Sequence, residues 1–168
     1  MKYKKIALIG MMGSGKSTIA RKISKECKIP LIDTDSLFEE RYKIAIKDFF
    51  KKFGESNFRQ KETALLKEIS LKDEFILSTG GGIVLSPENR EILFDKDIFT
   101  IYLSAEKETI FNRIKNDTKR PLLMVENPKA EIENILNQRI NYYKMANKTL
   151  LTDNKQINEI VKEIIWIL

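Results

Sequence analysis

Lys5-Ile6-Ala7-Leu8-Ile9-Gly10-Met11-Met12-Gly13-Ser14-Gly15-Lys16-Ser17 runs from a short apolar segment into a glycine-rich octet. Gly10 to Ser17 match G-x-x-x-x-G-K-[ST], placed after a predicted strand and at the start of a predicted helix, the context the motif requires. Glycines let backbone N–H groups turn inward around phosphate oxygens, and the helix N-terminus adds partial positive charge. Lys16 is placed to reach β- and γ-phosphates, and Ser17 to give an oxygen to Mg²⁺. This identifies a nucleotide site, but the fold it implies hosts switches, motors and kinases alike. Asn147-Lys148-Thr149-Leu150 and Asn154-Lys155-Gln156-Ile157 both lack the aspartate of the guanine-reading N-K-x-D motif, and no D-x-x-G sequence occurs, which argues against a GTPase switch.

Outward from the loop, strand signals recur at Lys5–Ile9, Ile29–Ile32, Phe75–Leu77, Ile98–Leu103 and Thr149–Leu151, with helical patterns between them. Ile157, Ile160, Val161, Ile164, Ile165 and Leu168 form a 3.6-period stripe. Such alternation predicts an α/β fold, a parallel sheet covered on both faces. At 168 residues the chain fits one domain over 1–168. The polar stretch from Lys115 to Lys129, holding Pro121 and Pro128, reads as a lid.

Composition narrows the chemistry. There is no histidine, and Cys27 is the only cysteine, so disulfide frameworks, zinc thiolate sites and Ser-His-Asp triads are excluded. A general base must be a carboxylate, a lysine or water. Cys27 follows Ile19 and Ile23 on one helix face and is expected to pack in the core. The net charge of +6 suits anionic ligands, yet basic and acidic residues are interspersed, and no aromatic RNA-binding signature appears. No apolar run approaches the ~20 residues of a membrane span. The lysines and apolar run at the N-terminus read as a first strand rather than a signal peptide, which predicts a cytoplasmic protein.

Four further features suggest an acceptor site. Asp33-Thr34-Asp35 follows a strand signal, and residues two apart in an extended chain face the same way. One carboxylate would hold Mg²⁺ through water and the other accept a hydroxyl proton; alternatively Asp35 or Ser36, with Glu39, caps a helix. Arg139 falls on the apolar stripe of Ile132, Ile135, Leu136, Ile140 and Tyr143, and an inward guanidinium needs an anionic partner. Glu62 similarly interrupts the face of Phe58, Leu65, Leu66 and Ile69, three residues after Arg59. Substrate carboxylate binding and a buried structural ion pair both satisfy these arginines. Gly80-Gly81-Gly82 either allows close backbone approach to a ligand or is a plain loop, and Ser86-Pro87 reads as a helix start.

Together these residues resemble the shikimate kinase family along essentially the whole chain. The likeness is carried by Gly10–Ser17, Asp33-Thr34-Asp35, Phe58-Arg59 with Glu62, Gly80-Gly81-Gly82, Arg120-Pro121-Leu122-Leu123, and Arg139 with Tyr142, in that order. It implies a three-layer α/β/α P-loop fold of the nucleoside-monophosphate-kinase kind, with a five-stranded sheet ordered 2-3-1-4-5. It also implies transfer of a phosphoryl group from ATP, with one Mg²⁺, to the 3-hydroxyl of shikimate. In this resemblance Asp35 is the base and binds the ring hydroxyls, and Asp33 joins Ser17 at the metal. Arg59 and Arg139 clamp the shikimate carboxylate, with the substrate-binding backbone of Gly81 and Gly82 nearby, and the shikimate-binding helical segment covers about 34–62. ATP meets Gly13, Ser14, Gly15, Lys16, Ser17 and Thr18; Arg113 packs on adenine; Arg120, on a lid over about 113–128, reaches the transferred phosphate. The loop Asp153-Asn154-Lys155-Gln156 departs from the family in lacking its usual proline. The resemblance further implies a monomer without nucleic-acid or membrane partners. The rival readings are a gluconate or nucleoside monophosphate kinase and a nucleotide-binding domain without catalysis.

Overall fold

The computed structural model describes residues 2–115 and 125–168. Its order is β1 (Lys5–Ile9), α1 (Lys16–Cys27), β2 (Leu31–Asp33), α2 (Thr34–Tyr42), α3 (Ile46–Ser70), β3 (Phe75–Ser78), a 3-10 turn (Ile83–Leu85), α4 (Pro87–Leu93), β4 (Phe99–Ser104), α5 (Lys107–Ile114), α6 (Pro128–Tyr143), β5 (Lys148–Leu151) and α7 (Ile157–Ile167). The five strands are parallel in the order β2-β3-β1-β4-β5, as expected. β1 lies at the centre, with Ile6 opposite both Ile76 and Phe99. None of the described helices is long and apolar enough to cross a membrane.

Strand alternation divides the core into two. Ile6 and Leu8 face Ile19 and Ile23 of α1 and Ile160, Val161 and Ile164 of α7. Ala7 and Ile9 face the other way, toward Leu66 and Ile69 of α3 and Tyr143 of α6. Burial on both faces explains why β1 reads as a continuous apolar run. Two smaller clusters support the outlying helices. Met11, Ile110, Ile114, Ile132 and Ile135 pack α5 and α6 against the glycine-rich loop. Phe38, Phe49, Phe58 and Leu65 join α2 to α3. Cys27 is half-buried against the first core, and burial pushes its thiol up, consistent with packing.

β2 starts at Leu31 rather than Ile29, because Pro30 has no N–H to give the ladder; its carbonyl still accepts from the N–H of Ile76 at 2.8 Å. At its other end β2 runs on to Asp33, whose extended backbone (φ −108°, ψ 120°) also makes it the N-cap of α2. Helix α4 begins as predicted, with Ser86 accepting from the N–H of Asn89 at 3.4 Å and proline next in line.

Helix α3 breaks at Gly54, with φ 79° and ψ 166°, a region in effect reserved for glycine. The break redirects the second half of the helix, which carries Glu55, Phe58, Arg59 and Glu62. No atom lies within 4 Å of where a Gly54 Cβ would stand, so an alanine there meets backbone strain without steric clash. Gly54→Ala is expected to cost about 1–3 kcal/mol, lowering the melting temperature by roughly 2–10 °C. An unchanged melting temperature would show that the break relaxes without penalty.

Candidate active site

The described residues of the proposed site lie at the carboxyl ends of the strands, where open parallel sheets bind ligands. On the nucleotide side, Gly10, Gly13 and Gly15 hold φ values of 143°, 77° and 95°, which bend the loop between β1 and α1. A Cβ at Gly10 would stand 2.6 Å from the Leu103 carbonyl oxygen, so the loop also sits tightly on β4. Gly15 stands at the N-cap of α1 and supplies no side-chain cap, leaving the first-turn N–H groups to an anion. Lys16 is buried, and its ammonium donates to the carbonyls of Gly10 (2.8 Å) and Met11 (2.9 Å). Ser14 is fully buried and its hydroxyl has no partner. Ser17 and Thr18 occupy the exposed first turn of α1.

The Ser17 hydroxyl donates to Asp33 Oδ2 at 3.0 Å and lies 3.1 Å from the Ser78 hydroxyl. These are hard oxygen donors of the kind Mg²⁺ takes. Among the described residues no group of three or more His, Cys, Asp or Glu could cage a metal, and Mg²⁺ characteristically keeps waters and phosphate oxygens instead. The donor set therefore fits that ion. Across the loop, Arg113 donates to the carbonyls of Gly13 (3.2 Å) and Thr152 (2.9 Å) and to the Thr152 hydroxyl (3.1 Å). It thus ties the glycine-rich loop to the segment after β5, where the buried Asp153 accepts from the Glu106 N–H at 3.1 Å.

On the acceptor side, charges from three helices converge on Gly80-Gly81-Gly82. A Cβ at Gly80 would stand 2.7 Å from Asp35 Oδ1 and 3.3 Å from Glu62 Oε1. One at Gly81 would stand 3.5 Å from Arg139 Nη1, and one at Gly82 would collide with the Arg59 guanidinium. Space is therefore tight at Gly80 and Gly82, whereas a Cβ at Gly81 would make only ordinary contacts. Arg59 pairs with Glu62 at 2.8 Å and Glu55 at 3.0 Å. Burial opposes the Arg59 charge, but these two carboxylates outweigh it and hold the group above its ordinary value. Burial pushes the Glu62 carboxyl up; Arg59 and Arg139 counter this, while Asp35 adds to it.

Arg139 differs from Arg59. Among the described residues it has no ion pair, and its buried Nε has no hydrogen-bond partner. The structural-pair reading thus accounts for much of Arg59 and leaves Arg139 unexplained.

The family model described as shikimate kinase matches residues 12–168. The chain belongs to the shikimate kinase family. A shikimate kinase of Enterococcus faecalis is 43% identical over 165 residues, covering 95% of each chain. One from Legionella pneumophila is 38% identical over 166 residues, covering 98% of this chain and 94% of its own. In structure, a shikimate kinase from Acinetobacter baumannii in complex with shikimate superposes with a TM-score of 0.93 at 31% identity, covering 99% of this chain and 93% of that one. The chain is accordingly a shikimate kinase, an ATP-dependent phosphotransferase of the P-loop type.

One expectation needs correction. Asp33 and Asp35 do not lie two apart on one extended strand: Asp33 is the N-cap of α2, accepting from the N–H groups of Asp35 and Ser36 at 3.2 Å, and Asp35 is in its first turn. They diverge, Asp33 toward Ser17 and Asp35 toward Gly80. The cap is therefore neither Asp35 nor Ser36. Tyr142, quoted with Arg139 in the family likeness, shares its helix and lies with its ring 4.1 Å from the Arg90 guanidinium. The tyrosine at the site is Tyr143, fully buried and donating to the Gly81 carbonyl at 2.5 Å. Its spacing of four from Arg139 marks the same helix face and was the available signal. The role of Thr34 was also missed: buried between the two aspartates, its hydroxyl accepts from the Gly80 N–H at 2.9 Å. Arg120 and Pro121-Leu122-Leu123 lie outside the described residues.

Proposed function

We propose the following division of labour in the phosphorylation of shikimate at its 3-hydroxyl, with ADP as the other product. Gly13, Ser14, Gly15, Lys16, Ser17 and Thr18 receive the ATP phosphates, and Lys16 exchanges its loop carbonyls for β- and γ-phosphate oxygens. Ser17 and, through water, Asp33 hold one Mg²⁺, which screens phosphate charge when bound. Arg113 and the segment after β5 form the adenine side. Arg139, Arg59 and the N–H groups of Gly81 and Gly82 bind the shikimate carboxylate, while Asp35 holds ring hydroxyls and accepts the proton of the attacking one. Arg120, from a lid over about 113–128, completes the charge around the transferred phosphoryl group. The whole forms one domain over 1–168, with the acceptor segment at about 34–62.

The observation that carries this reading is the buried, unpartnered Nε of Arg139 beside Gly81. A buried polar atom left unsatisfied is costly, and a planar carboxylate is the anion a guanidinium fork binds best. The reading includes a cytoplasmic monomer acting on ATP and shikimate without a membrane partner, and the interspersed charge of the sequence argues against a nucleic-acid partner. An ADP-release assay in Mg²⁺-ATP across shikimate, gluconate and AMP tests it. Turnover with shikimate far above the others is expected. Preference for gluconate or AMP would refute the acceptor assignment, and nucleotide binding without turnover would restore the non-catalytic reading.

A further inference from the structure

Helix α6 contributes more to the acceptor site than Arg139. One turn further on, Tyr143 is fully buried, its ring stacked on Tyr102 with centroids 5.0 Å apart and planes 19° apart. Its hydroxyl donates to the carbonyl of Gly81, a residue 62 positions away in the chain. Arg139 lies beside the same phenol and beside Gly81. We infer that Tyr143 is a positioning residue for the acceptor substrate: by holding the Gly81 carbonyl it fixes the Gly81–Gly82 peptide plane against Arg139.

The consequence follows from peptide geometry. In a trans peptide the C=O of one residue and the N–H of the next point in opposite directions. Holding the Gly81 oxygen on the α6 side turns the Gly82 N–H to the opposite side of that peptide, and the Arg59 guanidinium packs close to Gly82. Between two glycines such a plane has little steric resistance to rotation, so an external tether is needed to keep one orientation. Tyr143 is suited to supply it. The stacked ring leaves the hydroxyl few alternative positions, and burial above all pushes the phenol up to about 12, so it remains a donor throughout the neutral range. The neighbouring Tyr142 and Arg90 secure the following turn, Arg90 donating to the Val84 and Leu85 carbonyls at 2.8 and 3.0 Å. Tyr143, Tyr142 and Arg90 make no hydrogen bond to the glycine-rich loop, although Gly81 itself lies against Gly10 and Met12.

This inference rests on the proposed binding of the shikimate carboxylate at Arg139, Gly81 and Gly82. Tyr143→Phe keeps the ring and its stack and removes only the tether; Tyr142→Phe, which removes a hydroxyl with no contact to Gly81, is the matched control. Because the tether serves ground state and transition state alike, KM for shikimate should rise about 10-fold with kcat within about twofold of wild type. KM for ATP, ADP affinity and every parameter of Tyr142→Phe should stay unchanged. Amide NMR of the ADP complex supplies a second reading without turnover: the Gly81 and Gly82 signals should shift or broaden in Tyr143→Phe alone. Unchanged shikimate KM and glycine signals, or equal rises in KM for both substrates with a lower melting temperature, would overturn the inference in favour of a purely structural hydroxyl. Shikimate calorimetry on Arg139→Ala separates the two levels. Lost binding there with normal Tyr143→Phe behaviour overturns only the role of Tyr143, whereas unaffected binding there overturns the carboxylate site and this inference with it.

Discussion

Asp35→Asn is expected to lower kcat by about 10²–10⁴, with some loss of shikimate affinity and near-normal ADP affinity and stability. Asparagine keeps the shape and one acceptor oxygen of the carboxylate but cannot take a proton from an attacking hydroxyl. Phosphoryl transfer relies mostly on positioning and charge stabilisation, so the base needs only to accept and orient that proton. With no histidine in the chain, a carboxylate is the natural candidate. Asp35 is exposed at the start of α2, with Oδ1 directed to Gly80 and its charge felt by Glu62. A capping role is removed from contention because Asp33 performs it. What asparagine forfeits in stability is the favourable charge near a helix N-terminus, about 0.3–1 kcal/mol. Measuring kcat, ADP affinity and melting temperature on one preparation separates lost chemistry from lost fold. Near-wild-type turnover in a stable variant would remove Asp35 from the role of base.

The fold was legible because its signals are local. Lys5–Ile9 is predicted to the residue, since a strand buried on both faces leaves an uninterrupted apolar run before a glycine-rich loop. The break at Gly54 was not, because apolar periodicity continues on both sides and only the backbone angles distinguish a tolerated helical glycine from a hinge between helices. At the site, Arg139 and Glu62 stood out as charges on apolar stripes, which is a pattern one sequence can display. Their fates differ for reasons no spacing reveals: Arg59 gains two carboxylates from its own helix, whereas Arg139 lies beside Tyr143 of its own helix and Gly81 and feels the Glu62 charge without pairing with it. The reading of Asp33 and Asp35 failed at the point where β2 ends, since a cap formed in mid-motif turns the two side chains apart. Thr34 and Tyr143 were named, but their roles were not legible because these are hydrogen bonds to Gly80 and Gly81, partners 46 and 62 residues away.

Arg139→Ala should weaken shikimate binding by about 2–5 kcal/mol, a loss of roughly 30-fold to several thousand-fold at 1.4 kcal/mol per tenfold. Arg59 is already neutralised by Glu55 and Glu62, so it offers the substrate less unsatisfied positive charge than Arg139 does. Without Arg139, the incoming carboxylate would face Asp35 and the buried Glu62 with one guanidinium fewer between them. Part of the loss is therefore the cost of an unpaired anion rather than the worth of one hydrogen bond. Stability should respond less than for an ordinary buried ion-pair residue. Removing Arg139 relieves a buried Nε with no hydrogen-bond partner but also takes away a positive charge that offsets the burial of Glu62, so the melting temperature should change little. ADP affinity should change little, because Lys16, Ser17 and Arg113 make their contacts within the nucleotide side. Isothermal calorimetry with shikimate and ADP on the same protein tests each statement. Weaker shikimate binding with intact ADP binding and an undiminished melting temperature is the pattern of a substrate-binding arginine. Intact shikimate binding with a lower melting temperature would assign Arg139 to the scaffold and leave the carboxylate without its principal partner.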